Sequence, residues 1–181
     1  MSTDLRLVLS ILLDVVSEGS SQIGARDEHC IGAIKIILEK VRPPEDVIDF
    51  VAERLLKIFQ QNEGKKYGTL YRAIETVRLG ASRITTEKVL QESIRHGDMN
   101  ICTGPDPDNL FKRLLKRNLN AEEVVWLVDF YTKDGVAYNE WVYNVLREFT
   151  RDYITDETVK ATTYLRLRSF WEKHRLPASK A

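Results

Sequence analysis

Apolar residues recur every three to four positions along almost the whole chain, and the strict alternation that marks β-strands is nearly absent. In the first such segment, residues 3–16, Leu5, Leu9 and Leu12 fall on one helical face. Counting these segments predicts nine helices, of which the last begins at Thr155. The pattern therefore predicts an all-α protein.

Turn and capping residues divide these helices. Pro44 suits the first turn of the third helix, because its missing N–H group costs nothing there. Thr85 or Thr86 is the predicted cap of the fifth helix. Asn120, followed three residues later by Glu123, resembles a capping box at the start of the seventh helix.

The helices are predicted to form two lobes and one further helix. Gly80–Arg83 is the best candidate for a link between the lobes. We expect an N-terminal pair of helix-loop-helix units over residues 1–80 and a C-terminal pair over residues 84–150. A basic amphipathic helix is predicted over residues 155–176.

Composition and charge narrow the function classes. Apolar residues make up 43% of the 181 residues and charged residues 30%, which is a soluble globular balance. Lys+Arg and Asp+Glu both number 27, so the net charge is zero, which disfavours a dedicated nucleic-acid binder. From Lys160 onward, six basic residues stand against one acid, so a basic tail follows a mildly acidic body. Two cysteines make no disulfide framework, and no stretch resembles a signal peptide or a membrane span. We expect a cytoplasmic protein with no membrane partner.

Four predicted loops share an apolar or aromatic residue at a corresponding position, namely Ile23, Tyr67, Ile101 and Val136. The last loop, over residues 133–141, also carries an Asp-Gly turn and an acid-aromatic pair at the start of the next helix. This pattern resembles the EF-hand superfamily in its four-unit, calmodulin-like arrangement, over about residues 3–150 and most specifically in the fourth unit. The resemblance implies paired loops joined by a short β-bridge. A generic helical bundle with polar turns is the alternative.

Calcium binding in the EF-hand manner requires six to eight oxygen ligands from fixed loop positions. The resemblance places Val16 and Ile94 at the first ligand positions of the first and third loops, and it leaves the second loop without a carboxylate. The fourth loop keeps three acids but is one residue short, and Lys133 occupies one of its early positions. We therefore predict no cofactor. The alternative is a Ca²⁺ sensor that binds through the fourth loop alone, with the ligands Asp129, Asp134 and Glu140.

Light-chain-like members of this superfamily use calcium-free lobes to clamp an amphipathic helix, and the resemblance implies such a protein partner here. The candidate groove residues are apolar positions beyond those that one lobe core needs: Phe111, Leu115, Trp126, Val128, Trp141, Val145 and Phe149. Ordinary core packing is the alternative for each of them. With only two methionines, the groove is predicted to serve a dedicated partner.

The last helix mixes bulky apolar and basic residues, and Arg166, Arg168 and Trp171 are its candidate contact residues. It is predicted to complete the C-terminal lobe. The alternatives are a latch in the chain's own groove or a contact with an acidic partner, such as a tubulin-like surface.

Catalytic and zinc motifs are absent from the sequence, so we predict no enzymatic activity. His29, Cys30, His96 and Cys102 lack the paired spacing of a structural zinc site. The sequence therefore predicts a calcium-independent protein-binding adaptor, or a structural subunit of a larger assembly such as a cytoskeletal one. The remaining alternative is an unrelated helical bundle that binds nucleic acid through its basic last helix.

Overall fold

A computed structural model of the chain describes residues 2–18, 24–62, 67–95 and 119–175. Every regular element within these ranges is an α-helix, which confirms the prediction of an all-α protein for this part of the chain. The helices are α1 (Ser2–Glu18), α2 (Ala25–Val41), α3 (Glu45–Gln61), α4 (Tyr67–Val77), α5 (Arg83–Arg95), α6 (Ala121–Tyr131), α7 (Glu140–Tyr153) and α8 (Glu157–Arg175). The predicted sixth helix, near residues 107–115, lies outside the described residues.

The chain divides into two compact units, Met1–His96 and Gly97–Ala181. The first unit contains α1 to α5, and the second contains α6 to α8. This boundary differs from the predicted link at Gly80–Arg83, because α5 packs against α3 and α4.

Polar contacts explain why α5 stays with the first unit. The Ser82 N–H donates to Asp49 Oδ1 at 2.8 Å, which ties the start of α5 to α3. Further along, Gln60 Nε2 donates to the buried carboxylate of Glu92 at 2.8 Å. These contacts join residues more than thirty positions apart, so a local composition signal at the bend could not reveal them.

Helix α3 forms the centre of the first unit and contacts α1, α4 and α5. Its buried side chains recur at helical spacing and form one apolar face of the helix. They are Val47, Ile48, Val51, Ala52, Leu55, Leu56, Ile58 and Phe59. At the edge of this core, Arg6 pairs with Asp46 at 3.2 Å and Arg54 pairs with Asp14, which fixes α1 alongside α3.

The predicted helix starts are only partly confirmed, and Pro44 is the N-cap of α3 rather than a residue of its first turn. Asn120 Oδ1 accepts a hydrogen bond from the Glu123 N–H at 3.0 Å, so the predicted cap of α6 is confirmed. The prediction for α5 is wrong, because Ser82 caps that helix by accepting from the Thr85 N–H at 3.2 Å. Both candidate threonines lie inside α5 instead.

The second unit is built on a helix-loop-helix of α6 and α7. The loop turns at Gly135, whose φ of 89° lies in a region that favours glycine. The Tyr131 hydroxyl donates to the Asn139 carbonyl and accepts from the Asn139 N–H, both at 2.8 Å. Asn139 Oδ1 in turn accepts from two backbone N–H groups at the start of α7. One tyrosine therefore fixes the end of this loop and the start of the next helix.

The residues predicted to bridge paired loops have different positions in the fold. Tyr67 is the first residue of α4, so its predicted loop position is wrong. Val136 lies in the α6–α7 loop and is buried. Ile23 and Ile101 lie outside the described residues. Within the described ranges, no helix is both long enough and apolar enough to span a membrane.

Candidate functional site

The three acids considered as calcium ligands each pair with a basic side chain of α8. Asp134 Oδ1 lies 2.7 Å from Lys173 Nζ, and the Glu140 carboxylate accepts two hydrogen bonds from Arg175 Nη2 at 2.8 and 2.9 Å. Asp129 pairs with Arg166. We call these three pairs the α8 seam: Asp129 with Arg166, Asp134 with Lys173 and Glu140 with Arg175.

The three acids of the seam contact α8 at different points along its length. Arg166 and Arg175 are nine residues apart, which corresponds to roughly 13 Å of helix axis. Within the described residues, no three His, Cys, Asp or Glu side chains are grouped so that they could hold a metal ion. The hydrogen bond and positive charge of Lys173 hold the pKa of Asp134 below its ordinary value.

Helix α8 rests on α6 and α7 through a narrow buried strip of Thr163, Leu167 and Phe170. The Phe170 ring lies 4.9 Å from the Tyr131 ring, centroid to centroid, and 4.3 Å from the His174 ring. Burial raises the pKa of Tyr131, so its hydroxyl stays protonated and continues to donate to the loop. The aromatic contacts and the seam together position α8.

Three of the predicted groove residues are core residues. Val128, Val145 and Phe149 are 0%, 6% and 1% exposed, so they have almost no surface that a partner could contact. Their burial agrees with ordinary core packing, which was the alternative for each of them. This corrects their assignment to a partner-binding surface.

The other predicted contact residues are dispersed. Phe111 and Leu115 lie outside the described residues. Trp126 and Trp141 are half-buried on α6 and α7. Arg166 is engaged in the seam. Of the eight predicted residues that the structure describes, Arg168 and Trp171 line a common groove and the others do not join them there.

An open groove of about 560 Å³ lies between α7 and α8. Two predicted residues, Arg168 and Trp171, lie in its α8 wall, and Arg175 extends that wall. From α7, Tyr143 and Arg147 line the opposite wall, one helical turn apart. Tyr164 of α8 completes the aromatic lining, and its hydroxyl donates to the Arg147 carbonyl oxygen at 3.4 Å.

Tyr143, Arg147 and Tyr164 were missed in the sequence. The (i, i+4) spacing of Tyr143 and Arg147 was visible, but it also fits a solvated helix face. Only the packing of α8 beside α7 turns that face into the wall of a groove.

The three arginines in the groove differ in whether they form an ion pair. Arg168 Nε donates to Glu172 at 2.8 Å, and this contact raises the pKa of Arg168. Arg175 stacks over the Trp171 ring at 5.7 Å while it holds Glu140. Arg147 lies 5.7 Å from the centre of the Tyr143 ring, and no carboxylate among the described residues pairs with it. The groove therefore presents one guanidinium that has no ion-pair partner within the described chain.

A smaller cavity of about 480 Å³ lies in the first unit, and its lining includes His29, Tyr71 and Arg72. Arg72 stacks over Tyr71 at 5.4 Å and pairs with Glu75, so its charge is engaged. Of the four potential zinc ligands, the described residues include only His29 and Cys30. This cavity gathers none of the residues predicted to bind a partner.

Comparison of the chain with protein-family models, with curated proteins and with solved structures finds no match in any of the three.

Proposed function

We propose that this protein is a calcium-independent protein-binding adaptor, or a structural subunit of a larger assembly, which holds a partner segment in the groove between α7 and α8. The lining of that groove carries the proposal. Tyr143, Tyr164 and Trp171 lie among three arginines, and Trp, Tyr and Arg are the side chains that most often dominate binding energy at protein interfaces. Aromatic walls offer a large apolar contact area with little conformational freedom to lose.

The α8 seam supports independence from calcium. Asp129, Asp134 and Glu140 already have cationic partners within the protein. A calcium ion would have to compete with these side chains for the same carboxylates. The proposed function is therefore that of a degenerate EF-hand-like lobe in which a basic helix engages the acids. The calcium-sensor alternative requires the seam to open.

The ion pairs of α8, those of the seam and those within the helix, also favour a protein partner over a nucleic acid. The basic side chains Lys160, Arg166, Arg168, Lys173 and Arg175 of α8 each pair with a carboxylate. Binding of a nucleic acid depends on basic side chains that are free to neutralise phosphates. Most of the positive charge on this helix is already compensated.

The partner can be identified by placing a photo-crosslinking amino acid at Asn144, which lines the groove. A crosslinker at the exposed Glu148 on the same helix is the matched control. We expect a protein that is crosslinked from position 144 and not from position 148. Mass spectrometry would identify it for binding measurements with the purified pair.

For that pair, we expect Trp171→Ala to weaken binding by about 2 kcal/mol or more, roughly thirtyfold. Trp126→Ala removes a half-buried tryptophan of the same unit that does not line the groove, and should change affinity little. Affinity should be equal in chelator and in excess calcium. Equal losses in both tryptophan variants would rule out the groove as the binding site, and binding only with calcium would favour the sensor.

A further inference from the structure

We propose that the segment held in the α7–α8 groove is an acidic peptide segment, which presents a carboxylate to Arg147 beside an apolar anchor side chain. This inference rests on the proposed function and specifies the chemistry of the partner. It follows from the charges, the aromatic surfaces and the size of the groove.

The charge balance of the groove is the first step. Three guanidinium groups line it, against the two carboxylates of Glu140 and Glu172. Each carboxylate is engaged by its own arginine. The third guanidinium, that of Arg147, has no ion pair among the described residues. A carboxylate from a partner would complete the set, because a guanidinium can bind a carboxylate through two parallel hydrogen bonds.

The position of Arg147 is the second step. Its guanidinium lies over the Tyr143 ring, 5.7 Å from the centroid, and stacking on an aromatic face limits the freedom that binding would otherwise remove. Tyr164 contacts the Arg147 backbone from α8. The arginine is therefore held at a groove wall, with its guanidinium over the Tyr143 ring and its backbone bonded to Tyr164.

The apolar contact is the third step. Trp171 and Tyr164 are half-buried, so part of each ring remains accessible to a bound segment. A volume of about 560 Å³ falls in the range of small ligand sites, so it accommodates a few side chains of one segment. An aliphatic or aromatic anchor between these rings would lie close to the carboxylate bound by Arg147.

The number of unpaired cations favours an acidic peptide over a nucleic acid. A nucleic-acid strand carries a charge at every phosphate, whereas two of the three guanidinium groups in the groove already hold carboxylates. A peptide can instead place one or two carboxylates near Arg147 and apolar side chains elsewhere.

The test uses the full chain and two labelled peptides in fluorescence anisotropy at low salt. One is a short peptide of Glu-Glu-Leu repeats, and the other replaces each Glu with Gln. We expect the Gln peptide to bind at least about tenfold more weakly, and Arg147→Glu to weaken binding of the Glu peptide by at least about tenfold. The matched control is Arg151→Glu, one turn further along α7, where the arginine pairs with Asp152 and does not line the groove. This variant should change affinity by less than about twofold.

Each other outcome overturns the inference. Equal binding of both peptides would show apolar recognition without charge, and the adaptor proposal would stand. Equal losses in the two arginine variants would reflect net charge alone. Absence of binding by the Glu peptide would remove the acidic partner, and tighter Arg147-dependent binding of oligothymidylate would identify a nucleic acid instead. The adaptor proposal itself is decided separately, by the two tryptophan variants and the crosslinked partner.

Discussion

Helices α3 and α8 have similar lengths, 17 and 19 residues, but different forces hold them in place. Eight apolar side chains of α3 are buried in the first unit. Only three side chains of α8 are buried in the second unit, and one of them is a threonine. Three ion pairs add to that narrow strip.

The two helices are therefore stabilised by different forces, apolar burial for α3 and ion pairs in addition to burial for α8. Apolar burial depends little on moderate salt, whereas exposed ion pairs are screened by it. We therefore expect the packing of α3 to be indifferent to ionic strength and that of α8 to respond to it. A helix held at a surface in this way can also form one wall of a groove.

The largest effect should come from the centre of the first unit. Phe59 is 0% exposed, so Phe59→Ala should cost about 3–5 kcal/mol in the free energy of unfolding, measured by urea denaturation. Lys57→Ala changes an exposed residue of the same helix and should lie within about 0.5 kcal/mol of the native protein. Similar values for both variants would contradict the central position of α3.

A second pair of variants compares two leucines on α8. Leu167 is 0% exposed and Leu165 is 63% exposed, two positions away. Leu167→Ala should cost about 2–5 kcal/mol of stability, while Leu165→Ala should change it by less than about 0.5 kcal/mol. Thermal and urea unfolding would measure both. Equal costs would mean that a different face of α8 packs against the rest of the second unit.

The smallest effect should come from the seam. Replacing Arg166, Lys173 and Arg175 together by glutamine should lower stability by less than Leu167→Ala does, because all three pairs are exposed. The difference from the native protein should shrink as sodium chloride is raised. Arg168→Gln, which breaks a pair within α8, is the control for lost charge. A difference that does not depend on salt would contradict an electrostatic role.

The titration of Asp134 tests one ion pair of the seam by itself. Because Lys173 lowers the pKa of this carboxyl in the folded protein, the pair stabilises the fold above the ordinary carboxyl pKa of about 4. That contribution is lost as the pH falls through the lowered pKa. Lys173→Gln should return the pKa of Asp134 toward its ordinary value in an NMR titration. An unchanged titration would mean that the two side chains are not paired in solution.

Local signals in the sequence predicted the helices well. The cap at Asn120 was correct because the capping side chain and the N–H it accepts from are three residues apart. The cap of α5 was assigned to Thr85 or Thr86, although Ser82 performs it. Several hydroxyl side chains near one helix start offer equivalent local hydrogen bonds, and only the backbone path distinguishes them.

The candidate site was predicted less completely. Arg168 and Trp171 were identified from the composition of the last helix, and both lie in the groove. Val128, Val145 and Phe149 were assigned to a groove but are enclosed in the core. Periodicity shows that a helix has an apolar face, and it does not show whether the chain itself covers that face.

The sequence by itself therefore determined the all-helical character of the described chain and many of its helix ends, because these depend on neighbours three or four residues apart. Only the tertiary structure decided that α5 belongs to the first unit, and that the acids of the α6–α7 loop pair with basic residues of α8. Asp129 and Arg166 are 37 residues apart in sequence. Such a pairing depends on how helices pack, and the order of the residues alone does not encode it in any local pattern.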